Sequence, residues 1–326
     1  MFKVKNIILI FILALSLILI TACSEPTPDD SKLATMDENE DTVKSKDEER
    51  QTNETPQNDK TKKNETGDKN LSDDSTHQDI TVQEQILLDQ DDIKITLKSI
   101  SFDGLFGPSL QVLVENNSSE PITVQTRDSS INGIMIESMF SCDVASAKKA
   151  NDEITFMNSD LEYADITTIQ EIELILHIFN TDTWDEICDS DTIIINTSAD
   201  ASYVQGYDDS GVEVLNEKDI RMIMKKVNTS DSFWGADVHV YIENNSNSNV
   251  TIQAREVSIN GFMVEPIFSC DIVAGKKIYD TITFLESDLE KNSITSIDDL
   301  AISFHIFESD GWDTIFDTPT IEIKFE

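Results

Sequence analysis

Two tandem all-β domains, each a two-sheet sandwich, are what this 326-residue chain predicts. Three observations carry that prediction. The chain repeats itself at an offset of 128 residues. Each copy alternates apolar and polar residues with the period of a strand, and Asn-Gly pairs stand between apolar runs where tight hairpins need them.

The repeat is dense. Glu115-Asn116-Asn117-Ser118 returns as Glu243-Asn244-Asn245-Ser246, Ile131-Asn132-Gly133 as Ile259-Asn260-Gly261, and Phe140-Ser141-Cys142-Asp143 as Phe268-Ser269-Cys270-Asp271. In the ungapped match 42 of the 88 positions from 109 to 196 are identical, which chance does not produce. Upstream the offset falls to 127, placing a one-residue insertion near Gly104 to Gly107. The expected domains span 84–197 and 211–326, with 198–210 as a linker rich in Ser, Asp and Gly.

Within the first copy, Ile93, Ile95 and Leu97 alternate with Lys94, Thr96 and Lys98, as in a strand with one buried face. Val112 and Val114 lead to a polar turn at Asn116 to Glu120, and Ile122-Thr123-Val124 resumes a strand. Asn132-Gly133 predicts a type I′ hairpin, because both central residues of that turn need positive φ. Phe140, Cys142 and Val144 alternate again; Ile154 to Phe156 and Ile172 to Phe179 follow, and Ile193 with Ile195 closes the copy. Ser159 to Glu162 predicts one helical turn capped by Ser or Asp. Seven or eight strands in about 110 residues suit a sandwich, while a small barrel is the competing architecture.

The pattern resembles the immunoglobulin-like domains of lipoproteins and secreted antigens from Gram-positive bacteria. The resemblance rests on a strand ending in Glu-Asn-Asn, the Asn-Gly hairpin and a Gly-Lys-Lys turn, here Gly275-Lys276-Lys277. The first copy departs from it with Ala147-Lys148-Lys149, so positive φ is not expected to be a requirement of that turn. These motifs imply a fold and no reaction.

Ahead of the repeats, Lys3 and Lys5 precede an uncharged apolar run from Ile7 to Ile20, shorter than the roughly 20 residues a spanning helix needs. Ile20-Thr21-Ala22-Cys23 resembles the lipobox of bacterial lipoproteins. That resemblance implies cleavage of leader 1–22, lipid on Cys23, and attachment at the extracellular face of the cell membrane. An uncleaved anchor or an ordinary secretory signal are the alternatives, and both also export the remainder. Residues 23–83 are acidic and polar, with no Phe, Trp or Tyr, and so predict a disordered tether.

Sixty-three acidic residues against 24 basic ones leave a net charge of −39. A polyanion of this kind repels nucleic acid, which is not expected as a partner; basic proteins and divalent cations are favoured. Cys142, Cys188 and Cys270 are an odd set for a disulfide framework. Cys142 and Cys270 match between the copies and are expected to be small buried hydrophobes, with a Cys142–Cys188 bridge as the alternative.

Neither a Gly-x-Ser-x-Gly nor a His-Glu-x-x-His motif occurs, and no catalytic residues are assigned. His177 and His305 lie within strands, where a cross-strand hydrogen bond is the expected role. Two features remain as binding candidates. The loops Asn180-Thr181-Asp182-Thr183-Trp184-Asp185 and Glu308-Ser309-Asp310-Gly311-Trp312-Asp313 carry oxygens at their first, third and sixth positions. Asn180, Asp182 and Asp185, and likewise Glu308, Asp310 and Asp313, could converge on Ca²⁺, a hard cation that takes six to eight oxygens. A solvated turn with Trp184 or Trp312 covering the sheet edge is the plain alternative. The doublets Lys148-Lys149 and Lys276-Lys277 offer positive points for an anionic partner, or else pair with nearby carboxylates. The function expected is non-catalytic interaction with an envelope or extracellular protein through the two domains; a structural spacer or a calcium-stabilised adhesion module is the alternative, and a hydrolase is less favoured.

Overall fold

A computed structural model describes residues 80–228 and 234–325. The leader, Cys23 and nearly all of the 23–83 tether lie outside the described residues. In the first repeat the elements are β1 (Gln85–Gln90), β2 (Ile93–Ser101), β3 (Ser109–Asn116), β4 (Ile122–Ile131), β5 (Ile134–Met135), β6 (Ser138–Met139), β7 (Ser141–Val144) and β8 (Lys148–Phe156). A short helix α1 (Asn158–Tyr163) leads to β9 (Glu171–Asn180), β10 (Glu186–Asp189) and β11 (Ile193–Asn196).

The second repeat follows the same path. Its elements are β12 (Val212–Glu217), β13 (Ile220–Asn228), β14 (Gly235–Asn244), β15 (Val250–Ile259), β16 (Phe262–Met263) and β17 (Ser269–Ile272). After β18 (Lys277–Leu285) come α2 (Glu286–Lys291), β19 (Asp299–Glu308), β20 (Thr314–Asp317) and β21 (Ile321–Lys324). The chain is all-β, as its periodicity predicts. The first repeat has eleven strands where seven or eight are expected, the additions being β1, β6 and β10, short or edge segments that the periodicity does not mark.

In the first repeat β1-β2-β3-β8-β6 form one sheet, and β10-β9-β4-β5 form a second, with β7 on β4 and β11 on β9. Ile95, Leu97 and Val112 from the first sheet meet Val124, Leu174, Leu176 and Ile178 from the second in one core. All seven are at most 1 % exposed. The second repeat builds its own core the same way, from Met222, Val240, Ile252, Phe304 and Ile306 among others. Each fully buried Ile, Leu or Phe stabilises the fold by about 1.5–3 kcal/mol before entropic costs.

The Glu-Asn-Asn-Ser motif bonds the turn after β3 to the opposite sheet. Asn116 is fully buried. Its amide donates to the Glu120 and Val144 carbonyls at 2.8 and 2.9 Å and accepts from the Ser118 N–H and hydroxyl at 3.0 and 2.7 Å. Asn244 repeats the same four bonds with Ser248, Ile272 and Ser246. Asn carries two donors and an oxygen with two acceptor sites, and all are used.

Two local expectations need correction. Ala147 sits at φ +56°, beside its counterpart Gly275 at +75°, so the turn before the lysine doublet takes left-handed backbone in both copies. Only the glycine adopts that conformation without steric cost. The helix α1 begins after Met157, whose side chain offers no cap, rather than on Ser or Asp, because the chain enters directly from the end of β8. The Asn132-Gly133 turn stands at φ +51° and +80°, and Asn260-Gly261 at +51° and +80°, as a type I′ hairpin requires.

The repeats are joined edge to edge. β5 of the first repeat pairs in parallel with β18 of the second at Ile134 and Lys277, which merges the second sheet of one copy with the first sheet of the other into a ten-stranded sheet.

Candidate functional site

The inter-repeat joint begins at the Asn132-Gly133 hairpin. Asn132 Oδ1 accepts from the Gln170 and Glu171 N–H groups at 2.9 and 3.1 Å, and its amide donates to the Thr168 carbonyl and Gln205 Oε1. With the turn held, the Gly133 carbonyl accepts the Lys277 N–H at 3.1 Å. Met135 packs on the second core, and its sulfur lies 3.3 Å from the Val273 N–H. Beside this seam Lys276 forms an ion pair with Glu173, their side chains only 15 % and 16 % exposed.

Aromatic residues close the other side. The Tyr163 hydroxyl, at the end of α1, lies 2.6 Å from His239 Nδ1 on β14. Its ring meets Tyr279 of β18 edge to face, with centroids 5.8 Å apart and planes at 68°. Burial pushes the Tyr163 phenol up to about 12, so it stays neutral at physiological pH. The linker adds Tyr207, stacked on Tyr241 at 5.6 Å, and Asp208, whose N–H donates to the Tyr279 hydroxyl at 2.8 Å.

Between these contacts lies a cleft of about 680 Å³ with walls from both repeats. A bulge in β4, where the register slips between Arg127 and Ser130 and Asp128 takes φ +52°, turns the Asp128 carboxylate toward it. Asp128, Glu137, Asp160, Asp271 and Asp280 line the cleft against a single cation, Arg127. Tyr163 and Tyr279 supply its aromatic surface. Burial holds the Asp280 carboxyl above the ordinary carboxylate range, although it accepts the Thr281 N–H at 2.7 Å. Burial first, and then the Asp280 charge, push the Cys270 thiol well above its usual value. Chemically the cleft is an acidic, partly aromatic recess suited to holding a cation; Arg127 offers one fixed point for a carboxylate of the same ligand.

The residues singled out in the sequence fall in several places. Lys148 and Lys149 are exposed at the start of β8, where Lys149 pairs with Glu115 and, by that bond, holds the Glu115 carboxyl below its usual value. Lys276 is committed to Glu173, and the Lys277 ammonium lies 5.0 Å from the centre of the Tyr207 ring. The second doublet is therefore part of the joint, not an open patch. Trp184 stacks on Phe179 and Trp312 on Phe307, each pair with centroids 5.4 Å apart and planes at 15°. Both tryptophans stay more than half exposed, at 58 % and 55 %.

Asn180 and Glu308 engage their side-chain oxygens in hydrogen bonds within the protein. Asn180 Oδ1 accepts from the Asp182 and Thr183 N–H groups at 2.9 and 3.1 Å, and its amide donates to Glu120, so its oxygen is used within the turn. Asp182 and Asp185 point outward as exposed residues, and Glu308 takes the Ser248 hydroxyl at 3.3 Å. Among the described residues the group of ligand atoms gathered within 4.8 Å is instead His177, Glu186 and Asp189. There Asp189 bonds His177 Nδ1 at 2.5 Å, the cross-strand role expected of that histidine. The second repeat keeps His305–Asp317 at 2.5 Å but has Thr314 in place of Glu186. Cys142 and Cys270 are buried free thiols, and Cys188 is free and half-buried.

Motif reading of single copies missed the cleft. A signal was nonetheless present in the differences between the copies. Tyr163 corresponds to Lys291, Tyr279 to Asn151, Tyr241 to Leu113 and His239 to Gln111. Aromatic residues thus stand where the copies face each other, and their counterparts elsewhere are polar or aliphatic.

No protein-family model and no curated protein matches the chain. Among solved structures it is similar to a Salmonella enterica SafA pilin in complex with the SafB chaperone, at 10 % identity and a TM-score of 0.18, over 67 % of this chain and 89 % of that one. It is also similar to a protein of unknown function from Porphyromonas gingivalis W83, at 10 % identity and a TM-score of 0.17, over 75 % of this chain and 97 % of that one. Likenesses this faint carry nothing about ligand or assembly, and the all-β class stands on the strands of this chain itself.

Proposed function

We propose that the chain is a non-catalytic binding module, held at the outer face of a membrane by lipid on Cys23, whose site is the inter-repeat cleft and whose ligand is a basic peptide segment. One observation carries the reading: five carboxylates and two tyrosine rings surround one arginine in a recess built where the repeats meet. Carboxylates attract an ammonium or guanidinium, and tyrosine faces add about 0.5–2 kcal/mol of cation–π attraction. The charge of −39 brings a cation to the surface from any direction, and the cleft would give it a defined seat. A spacer role is the second reading, favoured by the continuous ten-stranded sheet that joins the copies.

Titration of the full chain with fluorescent trilysine tests the site, with a Kd on the order of 10–100 µM expected for a small charged ligand. Tyr163→Ala leaves the net charge unchanged and should weaken binding about tenfold by removing the ring. Tyr163→Phe keeps the ring, loses the bond to His239, and should bind nearly as well as wild type. Equal affinity in wild type and Tyr163→Ala, or no saturable binding, overturns the cleft as the site. Attachment is tested separately: Cys23→Ala should move the chain out of the membrane fraction, and its retention there would refute lipid anchoring through this residue.

A further inference from the structure

The joint between the repeats is heterologous: a hairpin of the first copy docks on a strand edge of the second. The chain therefore carries each of these surfaces twice and, among the described residues, uses each in this way only once. Within the joint Ile134 is 1 % exposed and Met135 is partly buried against the second core. Their counterparts on β16, Phe262 and Met263, are 49 % and 69 % exposed, and nearby Ile267 is 59 % exposed. At the other end, the edge of β18 that receives the hairpin at Lys277 corresponds to the edge of β8 at Lys149. Among the described residues that edge of β8 is paired only at Thr155 and Phe156, to β6. Open strand edges and exposed apolar hairpins are the features that soluble β proteins normally blunt.

We propose that the chain binds a second copy of itself head to tail, β16 of one copy docking on the free edge of β8 in the next, as β5 docks on β18 within the chain. The continuity with the internal joint sets the register: Lys277 pairs with Ile134, so Lys149 of one copy pairs with Phe262 of the other. The backbone conformation is ready at both ends, since Asn260-Gly261 holds the φ values of Asn132-Gly133 and Ala147 takes left-handed backbone as Gly275 does. Because the two surfaces differ, each added copy leaves one of each kind free, and the product is an open array, not a closed dimer.

Side chains at the outer joint differ in a consistent way. Where Tyr163 approaches Tyr279 within the chain, Lys291 of one copy would approach Asn151 and Asp152 of the next. Glu173, the partner of Lys276, is replaced by Ala301, so Lys148 has no matching carboxylate there. The outer joint is therefore weaker than the inner one. Two copies of charge −39 also repel each other, and added salt screens that repulsion over a Debye length of about 8 Å at 0.15 M.

The register can be trapped covalently. Lys149→Cys and Phe262→Cys are placed on separate full-length chains with tags of different size, mixed at 0.05 and about 0.5 M salt, and oxidised mildly. Products are read on a denaturing non-reducing gel beside the unsubstituted chain. A mixed disulfide about tenfold more abundant than either same-variant disulfide is expected, since docking raises the effective concentration of one thiol at the other. Higher salt should increase its yield, and Met263→Asp on the Phe262→Cys chain should suppress it. With both cysteines on one chain, oxidation should give a ladder of multimers. A mixed disulfide no more abundant than the same-variant ones, or indifference to Met263→Asp, overturns self-association through this edge. Products that stop at a dimer overturn the open array.

Discussion

Glu173 of the first repeat and Lys276 of the second form an ion pair across the joint with both side chains largely withdrawn from water. At the equivalent place in the second repeat the acid is absent, with Ala301 at that position. The pair therefore belongs to the joint and not to either sandwich. Replacing Glu173 by Ala leaves an ammonium in a poorly solvated seam, which should cost about 1–3 kcal/mol. Lys276→Ala added to Glu173→Ala should restore part of that loss, because no charge is then stranded. Urea denaturation of the two single variants and the double variant measures the coupling; strict additivity would show that the pair contributes nothing.

The joint should loosen in acid. Burial, and then the charge of Lys226, hold the His239 imidazole below its ordinary value of 6.5, while Asp237 acts weakly the other way. Tyr163 and Thr281 face the same ring nitrogen, at 2.6 and 3.4 Å. A histidine with a lowered folded-state pKa makes its full contribution above its unfolded value, and that contribution declines as pH falls below that value toward the folded one. Stability should therefore drop between neutral pH and the acid side of 6.5. His239→Gln, which installs the first repeat's Gln111 at this place, should flatten that part of the profile. Chemical denaturation at a series of pH values checks it, and an unchanged slope in the variant would refute the assignment.

Two glycines should respond very differently to the same methyl group. Gly133 lies at φ +80° with open space around a would-be Cβ, so Gly133→Ala meets only backbone strain, about 1–2 kcal/mol. Gly235 opens β14 at φ +145°, and a Cβ there would overlap the Phe284 carbonyl oxygen and the Glu286 nitrogen. Gly235→Ala should cost well over twice as much, or prevent folding of the second repeat, because backbone atoms in a paired strand do not yield. Melting curves of the two variants give the comparison.

The sequence by itself determined the all-β class and the hairpin at Asn132-Gly133, because strand periodicity and positive-φ turn chemistry are local properties. Other local features escaped it. Asp91-Asp92 and Lys218-Asp219 also turn with positive φ at both residues, yet neither pair has the Asn-Gly signature. Ala147 takes a glycine's conformation, and the oxygen of Asn180 accepts two backbone N–H groups of its own turn. The repeat showed that each surface occurs twice, but not which copy of a surface would be covered.

Tertiary structure decided that. Ile134 and Phe262 are equivalent in sequence, yet one is buried and the other half exposed, because a chain of two copies can form one joint between them and no more. The cleft exists for the same reason. Asp128, Tyr163, Tyr279 and Asp280 come from segments up to about 150 residues apart, and only the docking of one sheet edge on another brings them to a common recess.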